Sequence, residues 1–406
     1  MTQANDVLII GGGIAGASAA YEIAAFASVT VLEREPQCGY HSTGRSAASF
    51  TENYGNALVR RLVMASRAFL ETPPAGFCDH ALLSPRGLIT IARADQSDLL
   101  EQQLAVASAL VPTIVKLDAA AAIARVPILR PDYVAEAIIE PYSKELDVSG
   151  LHQGFLRAAK ARGATIRVNA GVETVERRGE QWFVETRDGT FAAPILVNAA
   201  GAWADAVAAM AGIAQLGLVP KRRTAFNVPA PAGMDIRGWP MVDDVGEQLY
   251  FKPDVGQLFV SPADATPSPA VDAQPDDLDV AMGVERFEHA TTYNVTRVSR
   301  AWAGLRTFAR DDSPVVGPDG TANGFIWLAG QGGFGIKTSP ALSRACAAML
   351  RDRPLPDDLT KLGVTAADLS PDRLRNPASM GSATVTQPEI STTSTGSSQS
   401  VRAPLL

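Results

Sequence analysis

The chain has 406 residues, of which 46% are hydrophobic and 19% charged. This balance suits a soluble protein of two or three domains with a large core. Its net charge of −7 argues against nucleic acid or an anionic membrane as the main partner. Cys38, Cys78 and Cys346 are scattered and the chain has only four histidines. Neither a metal spacing nor an even disulfide set results, so the expectation is a cytoplasmic protein without a metal.

Val7-Leu8-Ile9-Ile10 is an apolar, β-branched run that predicts a buried strand. Gly11, Gly13 and Gly16 follow it in the spacing G-x-G-x-x-G. Ala17–Ala25 reads as a helix, and Val29–Leu32 as a second strand ending at Glu33. This βαβ unit, with an acid about twenty positions past the glycines, is the dinucleotide fingerprint. Gly11 permits the tight turn, Gly13 lets a pyrophosphate approach the backbone, and Gly16 lets the helix pack on the strand. The helix start offers free N–H groups to phosphate, and Glu33 is placed to accept from a ribose 2′-OH. Residues 7–32 are long enough to span a bilayer. Their glycines, a central Glu22 and the absence of Lys or Arg before them argue instead for the core of a soluble domain.

Gln37–Ala48 is small, polar and glycine-bearing, and reads as a loop that wraps a long cofactor with N–H and hydroxyl donors. Asn56–Leu70 has helical apolar spacing and ends before Pro73-Pro74. A strand is expected at Leu88–Ala92, then helices at Asp95–Leu110 and Asp118–Ala124, the second capped by Asp118. Glu140–Asp147 reads as a turn-rich link and Val148–Gly163 as a helix. Short strands follow at Thr165–Val168, Val172–Val175, Trp182–Thr186 and Ile195–Asn198, with a hairpin turn at Asp188-Gly189. Ala199–Trp203 then ends the last strand in small residues, against which a flat ligand can lie.

Lys221-Arg222-Arg223 opens an alternating strand, so one arginine can point inward. Leu249–Pro253 and Gln257–Val260 read as a hairpin, Pro262–Asp279 as a loop and Gly283–Thr292 as a helix. Trp302–Phe308 is apolar around Arg306, and an arginine so placed pairs with an anion, either a protein carboxylate or a ligand. The strand Gly324–Ala329, the glycine loop Gly330–Gly335 and a helix from about Ser339 to Leu350 form a second backbone site for a ligand. Two such sites at opposite ends of the chain suit one long cofactor such as FAD. From Ala383 the chain is Ser/Thr-rich and is expected to be a disordered tail.

The motifs Gly11–Gly16, Glu33-Arg34, Ser42–Ser46, Val197–Trp203 and Gln331–Gly335 resemble the D-amino-acid oxidase and glycine oxidase superfamily of FAD enzymes. The stretches 40–48, 73–78, 82–86, 218–226 and 302–308 look closest to the bacterial FAD-dependent D-arginine dehydrogenases. The resemblance implies an α/β fold: a Rossmann-like FAD-binding domain with a second, mixed-sheet α+β substrate domain. The FAD domain is expected at 1–79, 146–215 and 304–370, the substrate domain at 80–145 and 216–303, and a tail at 371–406. It further implies noncovalent FAD touched by Gly11, Gly13, Ile14, Ala15, Gly16, Glu33 and Arg34. His41, Ser42, Thr43, Arg45, Ser46, Ala47 and Ala48 would follow, then Val172, Ala200, Gly201 and Trp203. Arg306 and the run Gly332, Gly333, Phe334, Gly335, Ile336, Lys337, Thr338 complete the set.

The implied reaction is oxidation of a D-amino acid by hydride transfer from Cα to flavin N5, giving an imino acid that hydrolyses to a 2-oxo acid and ammonia. Arg306 and Arg223 would clamp the substrate carboxylate, aided by Tyr250. Tyr54 would sit on a mobile loop closing the site, and the Gly333 backbone would meet the amine. Electrons would pass to a quinone or other carrier, and the protein would be a monomer or homodimer. Two positions depart from the resemblance. Leu88 stands where the arginine-oxidising relatives carry a glutamate that receives the cationic side chain, and Ser49 stands where they carry a histidine. A shift toward neutral or apolar D-amino acids is the plainer expectation; Glu52, Asp243, Asp244 and Glu247 are the acids available to replace the charge. The alternatives are a related flavoenzyme of glycine, sarcosine, proline or a 2-hydroxy acid, and a nucleotide-bound regulatory subunit without activity.

Overall fold

The computed structural model describes residues 3–375. The Ser/Thr-rich stretch from Ala383 therefore lies outside the described residues. The first glycine motif stands at the centre of a six-stranded sheet. Its strand order is Thr165–Arg167, Val29–Leu32, Val7–Ile10, Ile195–Asn198, Phe325–Ala329, Val315–Pro318. All neighbours are parallel except the last pair. Both faces of this sheet are covered, which is why its strands are apolar throughout rather than alternating. Val7 and Ile9 pack against the helices Ile14–Ile23, Ala57–Glu71, Val148–Ala161 and Gly335–Leu350. Leu8 and Ile10 pack on the other face with Trp182, Phe191 and Trp327, beneath a four-stranded sheet that includes Val172–Arg178, Gln181–Thr186 and Gly189–Ala193.

A second, mainly antiparallel sheet runs from Gln331–Gly332 through Arg300–Phe308, Val219–Pro229, Gln257–Ser261 and Tyr250–Asp254 to Met241–Asp244. It continues through Leu88–Ala92 and Glu136–Glu140 to Val115–Asp118. Its rear face is a core of Ile89, Phe226, Val242, Phe251 and Phe287; its front face looks toward the first sheet. Thr307 and Phe308 pair with Gly332 and Gln331, so the second glycine loop is also the edge of this sheet. No helix among the described residues is long and apolar enough to cross a membrane.

Several elements differ from the sequence expectation. The helix near the far end starts at Gly335 rather than Ser339 and carries Pro340 inside it. Proline cannot bond the carbonyl four residues back, and the Ser339 hydroxyl takes that carbonyl, of Ile336, at 2.9 Å. The helix expected from Gly283 begins at Asp277, because Asp276 caps it by accepting from Leu278 N at 3.0 Å. The link expected at 140–147 holds the strand Lys144–Leu146, which pairs with Leu83–Pro85 and Ser49–Phe50. Residues 371–375, expected to open the tail, are folded. Leu374 is buried, and Arg373 Nε donates to Asp311 Oδ2 at 2.8 Å.

Candidate functional site

The carboxyl ends of Val7–Ile10 and Ile195–Asn198 lie side by side where the connections leave in opposite directions, the crevice that doubly wound sheets use for ligands. Gly11 has φ +104°, and a Cβ there would lie 2.4 Å from the Ala199 carbonyl oxygen. A Cβ on Gly16 would lie 1.9 Å from the Gly11 oxygen. The two glycines let helix and strand close on each other. Gly12 N donates to Glu33 Oε2 at 2.7 Å and Glu35 N to Glu33 Oε1 at 2.9 Å, so the carboxylate is fixed by backbone while each oxygen keeps a free lone pair. Ile14 N donates to Thr43 Oγ1 at 3.0 Å. Gly13 itself supplies no capping side chain, so Thr43 takes only the first N–H of the helix.

A cavity of about 610 Å³ begins here and runs to the front face of the second sheet. Gly13, Ala15, Glu33 and Arg34 line one end; Arg223, Tyr250, Arg306 and Gly333 line the other. The loop 37–48 crosses between the sheets along it. Ser42 Oγ donates to Leu305 O at 2.6 Å. Arg45 Nη1 donates to the carbonyls of Ala273 and Ala303 at 2.8 and 2.9 Å. Arg34 lies 4.8 Å over the Trp203 ring, and the His41 ring is 4.7 Å from it. The second helix start, uncapped by any side chain at Phe334, brings Gly335 and Ile336 to the same cavity. Two helix starts, a fixed carboxylate and glycine walls along one elongated space fit a dinucleotide such as FAD.

At the far end, three side chains arrive from three strands. Of the run Lys221-Arg222-Arg223, only Arg223 lines the cavity. Arg222, on the opposite face, pairs with Asp279 at 2.8 Å. Arg223 Nε donates to the Asp264 backbone oxygen at 2.6 Å. Arg306 Nη2 donates to Tyr250 Oη at 3.3 Å, and its guanidinium covers Gly333, where a Cβ would meet Nη1 at 3.0 Å. Among the described residues neither Arg223 nor Arg306 is ion-paired with a carboxylate. Burial would raise the Tyr250 phenol, but Arg306 and Arg223 outweigh it and hold it below its ordinary value. The result is a positive, donor-rich end wall.

His41, Ser42, Thr43, Arg45, Ser46, Ala47, Val172, Ala200, Gly201, Trp203 and Gly332 also line the cavity. Gly16, Ala48, Tyr54, Phe334, Lys337 and Thr338 are not on its wall. Gly16 is spent on packing, and Ala48 takes a left-handed φ of 45°. Tyr54 lies against Phe334, with ring centroids 5.2 Å apart. Its loop is tied down by Thr51 Oγ1 donating to Glu140 at 2.8 Å and Arg60 Nε donating to Gly55 O at 2.8 Å. Lys337 turns away from the cavity. Its ammonium is buried, donates to Thr51 O at 3.2 Å, and is pushed down to about 7 chiefly by burial, with Arg306 and Arg60 adding to it. Sequence reasoning missed Ala225, Phe259 and Leu305 on the wall, which alternation alone cannot tell from core residues. It also missed Asn169, Ala170 and Gly171, a small-residue turn whose positive φ at Asn169 the Asn-Ala-Gly sequence hinted at.

The profile of the family DAO, FAD dependent oxidoreductase, matches residues 6–349. Glycine oxidase from Geobacillus kaustophilus is 24% identical over 382 residues, which span 90% of this chain and 98% of that one. D-amino acid dehydrogenase from Cereibacter sphaeroides is 25% identical over 438 residues, 92% of this chain and 97% of the relative. The solved structure of L-proline dehydrogenase from P. horikoshii shares the fold with a TM-score of 0.77 at 21% identity, covering 92% of this chain and 99% of that one. With its crevice, glycine walls and most of its length matched, the chain belongs to the DAO family of FAD-dependent oxidoreductases.

Proposed function

We propose that the chain is a D-amino-acid dehydrogenase of broad specificity that holds FAD noncovalently. The observation that carries this reading is the pair of guanidiniums, Arg223 and Arg306, facing the cavity beside Tyr250 without a protein carboxylate. A desolvated guanidinium without an acid partner is a site for a ligand carboxylate. The similarity to a D-amino acid dehydrogenase supports the amino-acid class. Bound FAD supplies the hydride acceptor. Arg306 and Arg223 hold the substrate carboxylate. Because Tyr250 Oη accepts from Arg306, its own proton is free to donate to that carboxylate. The Gly333 backbone meets the substrate amine, and Tyr54 with Phe334 shields the reacting end from water. These residues fix Cα in place, and orientation is the larger part of what the protein contributes. The imino acid released hydrolyses in water to a 2-oxo acid and ammonia.

A carboxylate clamp serves a secondary amine equally well, and the similarity to sarcosine dehydrogenase from Homo sapiens, 26% identical over 216 residues that span 49% of this chain and 23% of that one, keeps that substrate class as the second reading. Anaerobic mixing with D- and L-amino acids, glycine, sarcosine and proline separates the two. Bleaching of the flavin by D-amino acids is expected, and no bleaching by any of them rejects the first reading.

A further inference from the structure

We propose that Asp264 is a positioning residue of the carboxylate clamp: it fixes the Arg223 guanidinium through its own backbone oxygen and so sets the affinity for the substrate carboxylate without touching it. This rests on the clamp proposed above. Asp264 belongs to no motif, and Pro262-Ala263-Asp264-Ala265 reads in sequence only as part of a loop.

The strand Val219–Pro229 pairs from Val219 to Asn227 with Arg300–Phe308. On its other edge the ladder is interrupted. Phe226 stands opposite Val260 and Arg222 opposite Thr266, so the five residues 261–265 face the three residues 223–225. The surplus lets the chain turn inward here. Ala263 takes a left-handed φ of 56° and donates its N–H to Ser261 Oγ at 3.2 Å. The Ser261 hydroxyl in turn donates to Thr224 O at 2.6 Å. The gap leaves the Thr224 N–H without a strand to bond. Thr224 is fully buried, so solvent cannot satisfy that N–H and a protein group must. The Asp264 carboxylate does so. Its Oδ1 accepts from Thr224 N at 2.6 Å and its Oδ2 from Thr224 Oγ1 at 3.1 Å.

This grip aims the neighbouring arginine. With its side chain fixed on Thr224, Asp264 presents its backbone oxygen to Arg223 Nε at 2.6 Å. The two Nη groups are left for the cavity that Arg223 lines. A carbonyl partner holds the guanidinium without cancelling its charge, which stays available for a ligand carboxylate. The Asp264 carboxylate would cancel that charge if it turned to the guanidinium, and its two bonds to Thr224 keep it off. The loop is tied down independently. Arg286 Nη1 donates to Pro262 O at 2.7 Å, and Arg45 Nη1 to Ala273 O at 2.8 Å, so its shape does not depend on Arg223.

The test uses the flavin-loaded full chain and hexanoate, a carboxylic acid without an amine that cannot be oxidised here. Binding is read from the perturbed flavin spectrum. Asp264→Ala should weaken hexanoate at least about tenfold, whereas Asp264→Asn, which can keep both bonds to Thr224, should bind within about threefold of wild type. A double-mutant cycle with Arg223→Met separates positioning from a general structural role. If Asp264 acts through Arg223, adding Asp264→Ala to Arg223→Met changes the affinity by less than about twofold. Losses that multiply would make Asp264 merely structural and overturn the proposal. An alanine variant that binds like wild type, or an asparagine variant as weak as alanine, overturns it too. In each of these cases Arg223→Met still weakens hexanoate and the clamp stands. If Arg223→Met binds as tightly as wild type, or hexanoate leaves the spectrum unchanged, the clamp fails and the proposal falls with it. Should the alanine variant purify without flavin, Asp264→Ser, too short to bridge both Thr224 groups, takes its place under the same limits.

Discussion

Replacing Arg306 by methionine removes the charge of the clamp while keeping an unbranched apolar stem against Gly333. In the wild type the guanidinium lies over the Gly333 backbone and donates to Tyr250 Oη at 3.3 Å, with no carboxylate of its own. Truncating one member of a buried, hydrogen-bonded charge pair costs about 2–5 kcal/mol. Arg223 and Tyr250 remain, so the lower part of that range applies: about 2–4 kcal/mol, or a fall of roughly 30- to 1000-fold in kcat/KM. Part of the loss appears in kcat, because an untethered carboxylate lets Cα drift from its reactive position. Arg306→Lys should recover only part, since an ammonium lacks the bidentate fork. The assay is anaerobic stopped-flow reduction of the bound flavin by a D-amino acid. Flavin content is measured first from the visible spectrum and should stay at about one per chain, because Glu33, the glycine loops and the helix starts are untouched. A change in kcat/KM of less than about threefold would refute the clamp, and loss of flavin would assign Arg306 to the cofactor instead.

Gly16→Ala forces a Cβ to within 1.9 Å of the Gly11 oxygen; the helix must retreat, and overpacking of this kind costs about 1–3 kcal/mol or more. The variant should purify with little flavin, and a full complement of flavin would contradict the packing role. Lys337→Met tests the buried ammonium. Its value of about 7 lies below that of an exposed lysine, so the unfolded chain holds the extra proton between about pH 7 and 10 and wild-type stability rises with pH across that window. The variant should therefore gain most in thermal midpoint below pH 7 and progressively less toward pH 10; a pH-independent difference would count against a depressed lysine. Asn56 caps the helix Ala57–Glu71, its Oδ1 accepting from Val59 N at 3.0 Å and its Nδ2 donating to Ser313 Oγ at 2.8 Å. Asn56→Ala should cost about 1–2 kcal/mol and lower the midpoint by a few degrees, and an unchanged midpoint would remove the cap from the account.

The first βαβ unit was legible locally: strand, helix and strand stand at Val7–Ile10, Ile14–Ile23 and Val29–Leu32. Gly11, Gly13, Gly16 and Glu33 act through turns, close approaches and helix starts that lie within about thirty residues, so their spacing already specifies the crevice. The caps at Asn56, Asp118 and Asp147 are local in the same way, although only Asp118 was foreseen as one. The helix starts at Asp277 and Gly335 were misplaced because a Pro/Asp-rich run and a glycine run look like loops until a cap or a packed face makes them helical.

The chemistry of the far end depended on tertiary structure. Arg223, Tyr250 and Arg306 come together only because their strands lie in one sheet in a definite register, and hydrophobic pattern does not say which of two adjacent arginines faces a cavity. Glu52, Asp243, Asp244 and Glu247 were equivalent as acids in a sequence. Folding gave Glu52 an arginine, turned Asp244 to the rear, left Glu247 in water, and set Asp243 beside Tyr250 with one oxygen unpaired. Sequence by itself determined the nucleotide crevice, because backbone geometry over a short span suffices for it. Strand order and register decided the substrate end, because there the property that matters is which charges are left without partners once every other group has found one.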